Sequence, residues 1–350
     1  MLHKWWGLGL VVVLGVVWLV LGETGQPALR AENGTTTVAP APPPAMSETA
    51  AQAVPPASPA PAGAAVGGSV SSSSEPVLVR KALEARAAGS AIEADRLLRD
   101  AIQQAGSLED AARAGFHLAP SVADLAERRQ LLSLALESGV VRGAEYEQVG
   151  AWLRELNAQP AQSLQPLLQL HDYAVVSGDS LWKVCNRKLP GVVGSAPETG
   201  LVRLVNGLKQ DGLRVGQVLR IPREPLVIRV DTAQHGLVAW LGDVAVAAYR
   251  VGLGKDESTP RRSFTVEVKQ ENPAWFYAGR TIPFGDPENI LGTRWMGFEN
   301  QPEASGFGIH GTSKPESIGR NESSGCVRMR NQDVEDLFEL VARGTRVTIQ

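Results

Sequence analysis

The chain has 350 residues, enough for two or three domains that bury real cores. Its 34 basic and 37 acidic side chains nearly cancel, so nothing in the charge balance marks a nucleic-acid partner. Aromatic residues are few, yet tryptophan, with eight copies, outnumbers every other aromatic type.

Three of those tryptophans lie in the opening run KWWGLGLVVVLGVVWLVLG, where no charge follows Lys4 until after Gly22. Such a run is just long enough to cross a bilayer. The following ETGQPALRAENG offers no clean small-x-small cleavage site, so residues 1–22 are expected to be an uncleaved membrane anchor. Lys4 beside the amino terminus puts the start of the chain in the cytoplasm and the remainder outside it. Residues 23–75 are rich in Pro, Ala, Ser and Gly, with APAPPPA and VPPASPAPAG as the densest parts. A segment so poor in large apolar side chains cannot fold and reads as a disordered linker, reaching roughly 40 Å as a flexible coil.

Over residues 76–170 the pattern becomes helical. Leu98, Ala101, Ile102 and Ala105 mark one face, and similar spacing recurs in ERRQLLSLALESG and EYEQVGAWLREL, predicting four to six helices. AAGSAIEADRLLRDAIQQAG looks like one tetratricopeptide helical pair. The region is either a platform for a protein partner or a spacer with its own small core.

Residues 171–223 change texture again. A short strand at YAVV, a helix capped by Asp179 that buries Leu181, Trp182, Val184 and Cys185, a second helix ended by Asn206 and Gly207, and a closing strand QVLRIP make a small βααβ unit. GDSLW, a central Asn and GQVLRIP, in that order, resemble the LysM module, with LPGVVGSAPETG as an insertion. The resemblance implies binding to glycan strands of peptidoglycan or chitin. Gly178, Asp179, Ser180 and Leu181, with the turn before Gly216, would then line a shallow groove.

Residues 225–350 read as mostly β. Short strands run through LVIRV, FTVEVK, TRWMGF, FGIHG, CVRM and TRVTIQ, with one late helix, NQDVEDLFELVARG, capped by Asn331 and burying Val334, Leu337, Phe338 and Val341. Strand alternation puts Cys326 and Arg328 on one face of CVRM, with Val327 and Met329 on the other, and turns His310 away from the core that takes Phe307 and Ile309. Gly325 and Gly311 leave room for a substrate backbone. A thiol near an imidazole and a cation suits acyl transfer through a thioester, with backbone N–H groups around Gly325 and Cys326 as oxyanion donors. Against this stand the reading of a cysteine as a small buried hydrophobe, which fits Cys185, and a disulfide joining Cys185 to Cys326. Zinc finds too few ligands here.

The stretch HGTSKPESIGRNESSGCVRM resembles the signature of the L,D-transpeptidase family, and VGLGKDESTP, NPAW and GDPENILGTRW match further parts of it in order. TPRRSF departs from the usual TPTGxF, and Ile290 stands where proline is common. The resemblance implies a compact β fold and a peptidoglycan-modifying enzyme without metal or cofactor. In it Cys326 is the nucleophile and His310 its base, with the Gly311 carbonyl orienting the imidazole. Ser323, Ser324, Gly325 and Arg328 shape the oxyanion and substrate pocket. Cys326 would attack the carbonyl before the terminal D-Ala of a tetrapeptide stem and pass the acyl group to an amine, forming a 3–3 crosslink. An L,D-carboxypeptidase, with water as acceptor, and a non-catalytic wall-binding scaffold are the alternatives. The expected protein is multidomain, anchored once in a bacterial cytoplasmic membrane, with its globular part facing the periplasm or cell wall.

Overall fold

A computed structural model describes residues 76–189 and 196–350. The expected anchor, the linker, and part of the insertion between the LysM helices lie outside the described residues. Among the described residues no helix is long and apolar enough to cross a membrane.

Five helices come first: α1 (Val77–Ala87), α2 (Ala91–Gln103), α3 (Leu108–Leu118), α4 (Leu125–Glu137) and α5 (Glu145–Asn157), followed by a single turn at Pro160–Ser163. Ser107 and Asp124 start α3 and α4 by accepting hydrogen bonds from first-turn N–H groups that have no carbonyl of their own. Next, β1 (Leu170–Ala174) pairs antiparallel with β2 (Val218–Pro222) around a short helix α6 (Leu181–Lys183), which continues as a wide turn to Lys188, and α7 (Thr199–Asn206). Gly207, at φ 63°, closes α7 in the left-handed conformation.

Two details of the βααβ unit depart from the sequence expectation. Ser180, not Asp179, caps α6 by accepting from the Lys183 N–H. Trp182 is 55% exposed and does not join the core formed by Leu181, Val184 and Cys185. Leu181, Trp182, Val184 and Cys185 cannot all face inward on a helix that turns about 100° per residue.

The last part is a curled, mostly β domain. Its strands are β3 (Leu226–Asp231), β4 (Gly236–Leu241), β5 (Val244–Arg250), β6 (Leu253–Gly254), β7 (Ser263–Glu271), β8 (Trp275–Tyr277), β9 (Arg280–Ile282), β10 (Arg294–Phe298), β11 (Gly308–His310), β12 (Asn321–Ser323), β13 (Val327–Arg328) and β14 (Arg346–Ile349), with helix α8 (Asn331–Leu340) before the last. Eight of them form one sheet in the order β13-β11-β10-β7-β14-β3-β4-β5. Its two ends approach each other: Gly252, just past β5, and Arg328 in β13 exchange both backbone hydrogen bonds at 2.8 Å. β8 and β9 form a separate hairpin.

The helical region is not a spacer with a core of its own. Its apolar interior is continuous with one face of the sheet, burying Val238, Trp240, Ala245 and Ala248, while Leu237, Ala239, Leu241 and Val246 face the other core. This explains why β4 is apolar without alternation: both of its faces are covered. Helix α5 lies directly on the strands, since a side chain at Gly150 would strike the Ala248 carbonyl and one at Gly236 the Tyr146 ring. The edge strand β5 is sealed by side chains. The Ser133 hydroxyl accepts from Ala245 N at 3.0 Å, and Asn157 Nδ2 donates to Val246 O at 2.9 Å. Arg129, fully buried, donates to Ala245 O at 2.9 Å, Ser163 O at 3.1 Å and Asn157 Oδ1 at 2.8 Å. These acceptors are all neutral, and burial pulls the guanidinium down to about 10.

The LysM unit is fused on as well. Leu201 and Val205 of α7 enter the core of the curled sheet, Lys269 donates to Glu198 Oε1 at 2.8 Å, and Arg203 pairs with Glu339 of α8 at 2.6 Å.

Candidate active site

The face expected to carry chemistry is built by three short strands. β10 pairs antiparallel with β11, setting Trp295 opposite His310, and β11 pairs parallel with β13, setting Ile309 opposite Val327 and His310 opposite Arg328. Ile309, Val327 and Met329 are fully buried in the sheet core. By alternation, Trp295, His310, Arg328 and the residue two before it, Cys326, share the opposite face. Cys326 therefore sits just before the strand that pairs with His310, two residues from its partner Arg328, despite sixteen steps of chain between them.

His310 is 2% exposed, and its Nδ1 is 2.6 Å from the Gly311 carbonyl oxygen. A neutral ring that donates from Nδ1 leaves Nε2 unprotonated and free to accept. Burial pulls the imidazole down to about 4; the Gly311 and Leu291 carbonyls oppose this, and the Arg328 charge adds to it. Burial likewise pushes the Cys326 thiol up to about 11, against the Gly308 N–H and Arg328, which favour the thiolate. Both groups thus rest neutral, with the Cys326 thiol 3.8 Å from the Gly306 carbonyl oxygen. Both cysteines are free, with Cys185 buried in the LysM core, so the disulfide alternative does not hold in this structure.

The nucleophile turn is fastened internally. Ser323 Oγ donates to Cys326 O at 2.7 Å and accepts from Gly325 N at 3.0 Å. That corrects one expectation: the Gly325 N–H is spent on Ser323 and is not free to meet an oxyanion. The N–H of Cys326 itself has no such partner in this turn. Gly325 sits at φ 131°, and a side chain there would strike the Phe307 ring, so its role is to let two backbones pass closely. Ser324 is exposed on the turn.

Arg328 lies partly buried, with Nε lacking any hydrogen-bond partner. Among the described residues no carboxylate pairs with its guanidinium, whose pKa burial lowers. A cation left without an anion beside a nucleophile is available to one that arrives with substrate.

Sequence reasoning missed three contributors. Trp295 stands 5.9 Å from the His310 ring, partly exposed, as a wall of the face. Gly254 packs so tightly on Gly325 Cα that a side chain there would collide. Asn331 does not cap α8, where Arg330 takes the N-cap position; its Oδ1 accepts instead from Thr293 N at 3.3 Å and Thr312 N at 3.1 Å, clamping the segments on either side of His310. A polar residue opening a helix reads as a cap in sequence whichever way it turns.

The LysM residues divide. Gly178, at φ 83°, and Ser180 are exposed on the loop. Leu181 is fully buried, and the Asp179 carboxylate is turned inward, accepting from Tyr173 Oη at 2.8 Å, Val176 N at 3.0 Å and Lys188 Nζ at 2.6 Å. Chiefly the Lys188 hydrogen bond pulls its carboxyl down to about 2. Neither side chain can line a groove as expected, because each is spent on holding the loop.

A free thiol, an imidazole held at the Gly311 carbonyl and a guanidinium without an ion pair thus come from adjoining strands of one sheet. Residues 225–349 match the L,D-transpeptidase catalytic domain, and residues 173–222 match the LysM domain. The chain is 41% identical over 131 residues to a Bacillus subtilis strain 168 protein assigned as the L,D-transpeptidase YqjB, covering 37% of this chain and 73% of that one. With YkuD of the same organism, assigned likewise, it shares 34% identity over 158 residues, 43% of this chain and 85% of that one. L,D-transpeptidase 3 from Mycobacterium tuberculosis, solved with a faropenem-derived adduct, matches at TM-score 0.31 and 20% identity over 39% of this chain and 65% of that one. The chain belongs to the L,D-transpeptidase family.

Proposed function

We propose that the protein is a peptidoglycan L,D-transpeptidase in which Cys326 is the nucleophile and His310 the base. The observation that supports this is the register of β11 on β13, which brings the segment carrying Cys326 alongside His310, together with the Gly311 carbonyl that suits a proton on Nδ1. Since both groups rest neutral, proton transfer accompanies attack and no preformed ion pair is needed. The sulfur bonds to the carbonyl carbon of the third stem residue and its proton passes to Nε2. The C–N bond to the terminal D-Ala breaks, and its nitrogen leaves carrying that proton. An amine of a neighbouring stem then attacks the thioester, gives a proton to Nε2, and the departing sulfur takes it back, leaving a 3–3 crosslink. Arg328 suits a stem carboxylate, and the Cys326 N–H suits the oxyanion.

The LysM unit would hold glycan over its exposed Gly178, Ser180 and Trp182 side. Residues 1–22 would anchor the chain in a bacterial cytoplasmic membrane, and residues 23–75 would let the globular part reach the wall. The test is incubation of the protein with a tetrapeptide stem, followed by intact-mass measurement. An acyl adduct at Cys326, absent from Cys326→Ala, is expected; an unmodified wild-type protein, or turnover by the variant, refutes the assignment. Product analysis with and without an added stem amine separates crosslinking from hydrolysis.

A further inference from the structure

The helical region does more than cover the sheet. Glu147, on the first turn of α5, accepts from Arg330 Nη2 at 2.7 Å and stands 3.8 Å from Arg250 Nη1. Both cations belong to the frame of the segment that joins His310 to Cys326. Arg330 follows β13 and opens α8, two residues beyond Arg328. Arg250 ends β5, and its guanidinium packs on Gly319, which adopts φ 82° in the middle of that segment and leaves no room for a side chain. The Gly319 N–H also donates to Val251 O at 3.0 Å. One carboxylate therefore meets a cation at the middle of the segment and another at its exit.

We propose that Glu147 is a positioning residue: through Arg330 and Arg250 it lets the docked helical region set where the Cys326 strand lies against His310. The turn before that strand is held from within the sheet domain by Ser323 and by the pairing of β12 with β6, and Glu147 adds a hold from outside it. β13 is two residues long, held by Ile309 and His310 on one side and by Gly252 on the other. Helix α5 is rigidly seated, with Gly150 on the Ala248 carbonyl and Tyr146 on Gly236, so it supplies a fixed point from outside the catalytic sheet. Such a device barely touches global stability. The Glu147 and Arg330 side chains are 42% and 39% exposed, and pairs so open to solvent contribute little to stability. Small displacements at a reacting pair, in contrast, weigh heavily on rate.

This inference rests on Cys326 being the attacking group, and its test is a double-mutant cycle on the full chain with Glu147→Gln, Arg330→Gln and both together. Three quantities are measured: kcat and KM for acyl transfer from a tetrapeptide stem, the iodoacetamide alkylation rate of Cys326 read from its own peptide, and the melting temperature. Each single variant is expected to lower kcat about two- to fivefold with KM and melting temperature unchanged, and the double variant to be no worse than either. Arg330→Lys, which keeps the cation, retains most of the rate. Additive losses, losses that track the melting temperature, or wild-type kcat in Glu147→Gln overturn the proposal. Alkylation keeps the two questions apart. If the wild-type protein transfers no acyl group, the transpeptidase reading fails on its own, and an alkylation rate identical in wild type and Glu147→Gln overturns the positioning role.

Discussion

If the resting site holds a neutral thiol, alkylation of Cys326 should behave unlike that of a preformed thiolate as pH is raised. With the thiol pushed up to about 11, the thiolate fraction at pH 7 is about one in 10,000, against about three in 100 for an exposed cysteine. That is a deficit of about 300-fold. A thiolate of higher basicity is also more nucleophilic, by about tenfold over this interval, so the net rate falls about 20- to 30-fold below that of free cysteine. The slope is the sharper quantity. Between pH 6 and 9.5 the rate should climb about tenfold per unit with no plateau, because protonated thiol dominates throughout. Iodoacetamide labelling, quantified on the Cys326 peptide, gives the profile; Cys185, buried and pushed up to about 12, should stay unlabelled. A plateau below pH 8 would mean a standing thiolate–imidazolium pair and would refute the concerted proton transfer argued above.

Three further outcomes are expected. Arg328→Met removes a charge that lowers both groups, so the Cys326 alkylation profile should move to higher pH and the His310 ring proton, followed by NMR, should titrate nearer its ordinary value. Arg129→Met orphans three buried acceptors at about 1–3 kcal/mol each while relieving about 3 kcal/mol of buried charge, a net loss of about 3 kcal/mol readable in urea unfolding; unchanged stability would deny that this side chain fastens helices to sheet. The third concerns acid. His310 has a folded value near 4, below its ordinary 6.5, so the unfolded chain binds the extra proton between those values. Stability should therefore be full above about 6.5 and decline towards about 4, by up to about 3 kcal/mol, and His310→Leu should flatten that part of the curve in thermal melts.

Much of the site could be read from local pattern. Alternation in FGIHG and CVRM is enough to say that Ile309 and Val327 face a core, and both are buried in it, whereas His310, expected on the other face, is itself only 2% exposed. The βααβ order of the LysM unit followed from its punctuation by Gly207 and Pro222. Failures occurred where one residue type serves two ends. Asn331 and Asp179 both read as caps, yet Asn331 clamps the His310 segment and Asp179 ties its own loop. Trp182 read as core because its neighbours are, and it lies outside.

The order of the modules, the alternation of their strands and the candidate thiol and imidazole were determined by the amino-acid sequence itself, because each depends on residues within a few positions of one another. Tertiary structure alone decided that β13 lies parallel to β11, that Gly252 closes the sheet onto Arg328, and that a helical layer shares its core with the curled sheet and meets Arg330, just past β13, through Glu147. Those contacts join residues from 18 to 183 positions apart. Their register is chosen by which surfaces exclude water together, and no local periodicity records that choice.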